Sequence, residues 1–389
     1  MNAMQSAKPT LRFRPDGSFS VMQISDIQHS NGLDNPTRTL LEALLDAERP
    51  DFVILTGDQV KGYGASLWFG TAAQKRQKIE RTLDDILSPL AQRGIPFTFV
   101  FGNHDHDAPL DDDEQVRIYQ SYPLCCAADL ADAPGCANHT VEVLHSAGSG
   151  PALNFYLLDS HGAKGLGYQP LRPEQVDWYR RTRDALIARN GGRPVPSLLF
   201  QHIAVEEILE LYRKVPKGTA GALEGFRSHE GSYYVLDETK AAPGSFMGEL
   251  PSTPDHNAGL FAAAQEKGDM LGMYFGHDHH NGFHGVVGGV DLGYAPALGF
   301  QSYGPGRRRG VRMFRFREED IARYETYIRT FADLFGEDAK VPWALPVIDA
   351  VPSSFGAAKP LVRRSILGLT IASGAAAGLA AVAVLKKRR

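Results

Sequence analysis

Residues 97–107, with the sequence FTFVFGNHDHD, join a short apolar run to a dense group of metal-competent side chains. The apolar residues 97–101 predict a buried strand, and Gly102 predicts a tight turn that directs the next side chain inward. The side chains that follow this turn are Asn103, His104 and Asp105. Because ligands of open α/β sheets bind beyond the carboxyl ends of strands, this stretch predicts one wall of a functional site.

Four further short apolar runs end in residues of the same kind. They are followed by Asp26 and Gln28, by Gly57 and Asp58, by His202, and by Gly276, His277 and His279. Five strand ends therefore aim Asp, Asn, Gln and His side chains at one cleft. The apolar runs alternate with helical segments, and this alternation predicts an α/β sandwich with buried sheets.

This ordered set of blocks resembles the calcineurin-like metallophosphoesterase superfamily. The pattern of that superfamily is Asp-x-His, Gly-Asp, Gly-Asn-His-Asp/Glu, a lone His, and Gly-His-x-His, and four of the five blocks fit in the same order. Residues 101–107 and the strand near 310–316 are similar to the purple-acid-phosphatase-like branch. The resemblance implies a metallophosphoesterase β-sandwich flanked by helices, with a βαβαβ core, that hydrolyses phosphate esters.

The resemblance also implies a role for each residue of these blocks. Asp26, Gln28 and His279 would hold a first divalent ion, Asp58 would bridge both ions, and Asn103, His202 and His277 would hold the second. Two such ions lower the pKa of a shared water, and the bridging hydroxide attacks in line while the ions clamp the phosphoryl oxygens. His104 is implied as the acid or charge stabiliser for the leaving oxygen, and Asp105 as the partner that orients His104.

The first block departs from this pattern, because Gln28 stands where the superfamily has His and His29 comes one position later. In an extended chain residues 26 and 28 share a face and residue 29 points away, so Gln28 is the expected ligand through its amide oxygen. A local bulge that brings in His29 instead is the alternative. An oxygen ligand in place of an imidazole favours Mn²⁺, with Fe and Zn as the other candidates.

The composition limits the classes of partner. The chain has 389 residues and a net charge of −4, but residues 361–389 carry six Lys and Arg and no acid, which leaves the rest at −10. We expect no nucleic-acid binding, because phosphate backbones need a basic surface. The cysteines Cys125, Cys126 and Cys136 are expected to be free thiols, with one Cys126–Cys136 disulfide as the alternative.

Residues 366–385 contain no charge and are bracketed by Lys and Arg. A helix of this length spans about 30 Å, so we predict a C-terminal transmembrane helix, with a helix buried in the core as the alternative. Gly374 and Gly378 have a spacing that supports weak dimerisation. Because the first 16 residues are polar and hold no apolar leader, a single-pass anchor with a cytoplasmic catalytic domain is expected.

The predicted organisation is an N-terminal extension 1–18, a metallophosphoesterase domain 19–335, a Pro-rich linker 336–365, the transmembrane helix 366–385 and a basic tail 386–389. Within the domain, helices are predicted at 36–47, 74–92, 173–189 and 205–214, and an irregular insertion at 216–255.

The function that follows is a metal-dependent phosphatase acting on a phosphate monoester of a small molecule, a protein or a lipid. The alternative is a phosphodiesterase or nucleotide pyrophosphatase, which Gln28 favours, or a lipid-linked pyrophosphatase, which a tail near the bilayer favours. A membrane-tethered metal-binding scaffold without catalysis is a second alternative, from another class. The presence of Asp58, Asn103 and His104 argues against this scaffold.

Overall fold

The computed structural model describes residues 9–127, 130–165, 167–225 and 227–351. In this part of the chain two large sheets pack face to face, and helices cover their outer surfaces. The strands are β1 Leu11–Arg12, β2 Ser18–Ile24, β3 Phe52–Thr56, β4 Phe97–Val100, β5 His139–Leu144, β6 Pro151–Leu157, β7 Ala163–Lys164, β8 Gly167–Tyr168, β9 Ser197–Phe200, β10 Tyr212–Val215, β11 Leu223–Glu224, β12 Tyr233–Leu236, β13 Met270–Phe275, β14 His284–Val287, β15 Val290–Tyr294, β16 Gly310–Arg317 and β17 Glu325–Thr330. The α-helices are α1 Asn35–Glu48, α2 Ala65–Trp68, α3 Ala72–Gln92, α4 Asp112–Ser121, α5 Pro173–Arg189, α6 Leu260–Gln265, α7 Phe331–Phe335 and α8 Leu345–Asp349.

The first sheet has five strands in the order β17-β16-β2-β3-β4. Its strands β2, β3 and β4 run parallel, so their carboxyl ends reach the same edge. All five residues of β3 are buried, as expected of a parallel strand that is covered on both faces.

The second sheet has seven strands in the order β1-β5-β6-β9-β13-β15-β14. Its central strands β6, β9, β13 and β15 are also parallel. Aromatic rings fill the space between the sheets: Phe52 and Phe155 lie 5.8 Å apart between centroids, and Phe200 and Phe314 lie 5.6 Å apart. Each pair joins one sheet to the other, so burial of these large apolar rings holds the sandwich together.

Helices pack on both outer faces of the sandwich. Leu40 and Leu44 of α1 and Leu83 of α3 lie in one buried cluster with Val53 of the five-stranded sheet. On the other side, α5 and α6 share a cluster with side chains of β6, β9 and β13. The predicted α/β sandwich with flanking helices is therefore confirmed.

The helix predicted over 205–214 is wrong. Residues Glu206–Leu211 form a short 3₁₀ helix, and the chain then enters β10. This strand pairs antiparallel with β12, where Tyr212 lies opposite Leu236 and Val215 opposite Tyr233. Aromatic and β-branched side chains suit such pairing. The insertion 216–255, predicted as irregular, therefore contains β11 and β12 of a small sheet.

Both ends of the described chain pack onto the sandwich. Leu11 of β1 pairs with Val143 of β5, although it lies in the predicted extension 1–18. Leu345 of α8 is buried in the cluster that covers the five-stranded sheet, although it lies in the predicted linker. The domain boundaries themselves stay a prediction.

The prediction of a C-terminal transmembrane helix as part of the fold is wrong. Among the helices of residues 9–351, apart from the few undescribed positions, none combines the length and the apolar character needed to cross a bilayer. The longest, α3, has 21 residues but carries charged side chains along its length. Residues 366–385, including Gly374 and Gly378, lie outside the described residues.

Two glycines lie where the loops after neighbouring strands touch. A Cβ atom added at Gly102 would lie 2.2 Å from Oδ1 of Asp58, and one added at Gly276 would lie 1.8 Å from Oγ of Ser25. Unbonded heavy atoms do not approach so closely. Both strand-end loops therefore need glycine because neighbouring loops approach closely there, whereas the sequence predicted glycine for a tight turn.

Gly102→Ala is expected to displace Asp58 and to lower the free energy of unfolding by about 1–3 kcal/mol, because overpacking forces the backbone to shift. Gly150→Ala is the control, since the nearest atom to its added Cβ would be 3.8 Å away. Denaturant unfolding of both variants checks the prediction. Equal unfolding midpoints for the two variants would contradict it.

Candidate metal centre

The loops after five strands converge at one end of the sandwich. Asp26 follows β2, Asp58 follows β3 and Asn103 follows β4, while His202 follows β9 and the pair His277 and His279 follows β13. All seven side chains predicted as metal ligands, Gln28 included, are buried. Each sheet contributes some of these ligands, so the cleft lies where the two sheets meet.

One group of potential ligands contains Asp58, His202 and His277. Nε2 of His202 lies 3.4 Å from Oδ2 of Asp58, and Nδ1 of His277 lies 3.3 Å from Nε2 of His202. The ligand atoms of this group all lie within 4.8 Å of one another. Nδ1 of His202 is 2.9 Å from the carbonyl oxygen of Thr56, to which it donates a hydrogen bond. This bond directs Nε2 into the cleft.

A second group contains Asp26, Asp58 and His279. Nε2 of His279 lies 3.2 Å from Oδ1 of Asp26, and its Nδ1 donates to the carbonyl oxygen of Tyr303 at 2.7 Å. Asp58 belongs to both groups, and its carboxylate has two oxygens to offer. The arrangement is therefore that of two adjacent cation sites with one shared carboxylate.

The chemistry of the amide side chains fits metal binding. Oδ1 of Asn103 and Oε1 of Gln28 are buried and have no hydrogen-bond partner among the described residues. The amide nitrogen of Gln28 lies 2.7 Å from Oδ2 of Asp58 and 3.2 Å from Nε2 of His279. Turning this amide over would place its oxygen among these ligand atoms. A bound cation would give both oxygens the partner that burial otherwise denies them.

Gln28 rather than His29 reaches the cleft. Nε2 of His29 instead lies 2.9 Å from Oγ1 of Thr37 in helix α1, where burial lowers the pKa of His29 to about 4. The backbone differs from the extended chain on which the prediction was based, because φ is positive at both Asp26 (54°) and Gln28 (48°). The side chains of Asp26 and Gln28 still meet at the cleft, although the backbone that carries them is left-handed rather than extended.

Four of the seven predicted ligands have a left-handed backbone. Asp58 (φ 53°) and His277 (φ 73°) adopt it as well as Asp26 and Gln28. For residues with a Cβ this conformation costs about 1–2 kcal/mol each. Main-chain hydrogen bonds hold it: the amide of Asp26 donates to Gly57 at 3.1 Å, and the amide of Gln28 donates to Asp58 at 2.9 Å. Strain of this kind concentrates at functional sites.

The buried charges make the cleft attractive to cations. Burial lowers the pKa of His202, but the carboxylates of Asp58 and Asp26 outweigh this effect and raise it to about 10, so a cation bound at its Nε2 would displace the proton that these carboxylates attract. Burial would raise the pKa of Asp58, yet the charges of His202 and His104 hold it well below its ordinary value. The shared carboxylate is therefore ionised at neutral pH and able to bind a cation.

Asp105 does not orient His104 as predicted. Its carboxylate is fully buried and accepts hydrogen bonds from the amides of Asp58 at 2.7 Å, Gly102 at 2.8 Å and Val60 at 2.9 Å. Asp105 thus fixes the loops that carry the ligands. The ring of His104 has another partner, because its Nδ1 lies 3.3 Å from Oδ2 of Asp107.

Three tyrosines at the cleft were not predicted as site residues. Tyr63 lies 4.6 Å from the ring of His104, and Tyr168 lies 4.5 Å from His277. Tyr303 stacks on His279 with a centroid distance of 4.1 Å. Tyr63 and Tyr303 lie in loops and Tyr168 lies in β8, all outside the recognised sequence blocks, so only the three-dimensional structure brings them to the ligands.

Relatives of this chain are named as phosphatases. "Probable inactive purple acid phosphatase 14" of Arabidopsis thaliana is 24% identical over 351 residues, which cover 80% of this chain and 79% of the relative. "Phosphatase DCR2" of Saccharomyces cerevisiae is 24% identical over 236 residues, which cover 54% of this chain and 39% of the relative. Among solved structures, a dimetal phosphatase from Danio rerio aligns with 80% of this chain and 99% of its own, at 14% identity and a TM-score of 0.46.

The family assignment comes from a match to a family model. Residues 19–281 fit the family model of the calcineurin-like phosphoesterases, and this range contains all seven predicted ligands and His104. It covers more than half of the chain and all five strand ends of the cleft. The chain therefore belongs to the calcineurin-like phosphoesterase family.

Proposed function

We propose that this protein is a phosphatase that hydrolyses a phosphate monoester, and that the seven buried ligands hold the two metal ions it needs. The observation that carries the proposal is the position of Asp58 in both ligand groups, which sets two cation sites side by side. Two divalent ions, when bound, lower the pKa of a water between them and polarise the phosphoryl oxygens.

The assignment of ligands follows the two groups. Asp26, Gln28 and His279 hold the first ion, Asn103, His202 and His277 hold the second, and Asp58 holds both. Two carboxylates and two amides supply four of the seven donors as oxygen. This oxygen-rich set favours Mn²⁺ or iron over Zn²⁺, and Mn²⁺ is the metal that we propose.

His104 is the group that we assign to the leaving oxygen. Its amide donates to Oδ1 of the shared carboxylate Asp58 at 2.8 Å, so the residue is anchored directly beside the metal ligands. Nδ1 of His104 lies 3.3 Å from Oδ2 of Asp107, and a hydrogen bond donated there orients the ring. A protonated imidazole at this position donates a proton to the departing alcohol.

A relative of this chain is named as inactive, so a protein that binds metal without catalysis is the alternative to this proposal. In this chain the shared carboxylate, the ligands of both groups and the imidazole beside them are all in place. This complete set supports an active enzyme, since a scaffold without catalysis has no need to keep His104.

The purified protein with Mn²⁺ is expected to hydrolyse p-nitrophenyl phosphate faster than bis(p-nitrophenyl) phosphate or ADP-ribose. Asp58→Asn is expected to abolish this turnover, because a neutral amide cannot bridge two cations. Asp338→Asn, at an exposed position, is the matched control. Faster diester or ADP-ribose hydrolysis would favour the alternative substrates, and full turnover by Asp58→Asn would refute the dinuclear scheme.

His104→Ala is expected to lower kcat roughly 10²–10⁴-fold for an alkyl phosphate while leaving the bound metal unchanged. The loss should be smaller for p-nitrophenyl phosphate, because p-nitrophenolate departs without a proton. Metal analysis and kinetics with both substrates check this. A variant that loses metal would make His104 a ligand, and equal losses on both substrates would rule out its role as acid.

Gln28→Ala is expected to weaken Mn²⁺ binding by at least about tenfold, as perturbation of a metal site typically does. His29→Ala removes the partner of Thr37 and is expected to cost about 1–3 kcal/mol of stability with little change in Mn²⁺ affinity. Metal titration and denaturant unfolding separate the two effects. The reverse pattern would make His29 the ligand.

A further inference from the structure

A cavity of about 510 Å³ opens directly beside the metal centre. Asn103, a proposed ligand of the second ion, lines one end of it. The remaining wall comes from the loop after β4, the first turn of α4, the end of β6 and the hairpin β7–β8. The cavity is therefore an extension of the catalytic cleft rather than a separate pocket.

The wall of this cavity is strongly acidic. Four carboxylates line it, those of Asp107, Asp112, Asp113 and Asp159. Two imidazoles also line it: His106, which lies 2.9 Å from Asp112 and 3.2 Å from Asp159, and His161, whose Nδ1 lies 4.0 Å from Oδ2 of Asp159. No Lys or Arg of the described chain lines the cavity. Four carboxylates thus face two imidazoles.

His106 keeps its proton at neutral pH and neutralises only part of this charge. Burial lowers its pKa, but the hydrogen bonds that the ring donates to Asp112 and Asp159 outweigh burial and raise the pKa to about 11. Asp113 is exposed and has no hydrogen bond or ion pair with any described residue. Its charge is therefore open to a ligand in the cavity.

Asp107 connects the cavity with the residue that we assign to the leaving oxygen. Asp107 lines the cavity and also contacts the ring of His104, the proposed acid for the departing oxygen. At the other end lies Asn103, with its buried and unpartnered oxygen at the metal site. A phosphate held at the centre would therefore direct its ester group toward the acidic wall.

We propose that this cavity binds the alcohol part of the substrate, and that this alcohol carries a protonated or quaternary amine. The proposal rests on the monoester phosphatase function and names its substrate class, a phosphorylated amino alcohol. Water forms the new bond to phosphorus, the bond from phosphorus to the ester oxygen breaks, and His104 gives its proton to that oxygen. The products are inorganic phosphate and the amino alcohol.

The acidic wall also acts against other substrates. A nucleoside diphosphate would bring further negative charge toward these carboxylates, and like charges at this range repel. A neutral leaving group would gain nothing from the wall. Charge thus selects among monoesters that are equal in size.

The test compares phosphocholine with 3,3-dimethylbutyl phosphate, which has the same shape with carbon in place of the charged nitrogen. With the Mn²⁺-loaded full-length enzyme, kcat/KM is expected to be roughly tenfold higher for phosphocholine, and this ratio should fall as salt screens the wall. Asp113→Asn is expected to lower the ratio by about threefold. Asp338→Asn, an exposed acid outside the cavity, should leave the ratio unchanged.

Each other outcome has a definite reading. Equal kcat/KM for the two compounds, or hydrolysis of p-nitrophenyl phosphate with neither compound turned over, would overturn the proposal and leave the phosphatase function intact. Absence of hydrolysis of all three would contradict the phosphatase function itself. Loss of bound Mn²⁺ in Asp113→Asn would assign the cavity to a metal and overturn the substrate proposal.

Discussion

The carboxylate of Asp58 is the constraint on which the rest of the site depends. It belongs to both ligand groups, its backbone is left-handed, and its main-chain amide donates to the buried carboxylate of Asp105. The loop of the neighbouring strand closes over it at Gly102, where no Cβ fits. Four ligands in a left-handed conformation cost several kcal/mol together. The three hydrogen bonds to Asp105 offset part of this cost, and bound cations would offset more.

The strand ends could be predicted because the pattern that identifies each of them lies in a few consecutive residues. A short apolar run followed by glycine and a metal-competent side chain identified the loops of Asp58, Asn103 and His277, and the structure brings these loops together. The expectation for Gln28 assumed an extended chain, whereas the backbone is left-handed. The side chain reaches the cleft in both geometries, so the correct residue followed from an incorrect conformation.

What could not be predicted depends on contacts between distant segments. Asp105 binds three backbone amides in the loops after β3 and β4, and nothing in its neighbours along the chain distinguishes this from a contact with His104. The helix expected over 205–214 became a strand because residues 233–236 supply a partner. The segment 366–385 was assigned from its lack of charge and its flanking Lys and Arg, and no spanning helix occurs in the part of the chain that the structure describes.

The metal centre lies across the boundary between two sheets. The five-stranded sheet supplies Asp26, Asp58 and Asn103, and the seven-stranded sheet supplies His202, His277 and His279. A pair of bound cations would therefore link the two sheets of the sandwich. Because a ligand that binds only the folded chain stabilises it, by about 2.7 kcal/mol at a concentration one hundred times its dissociation constant, the supply of metal would govern how long the protein survives as well as how fast it works.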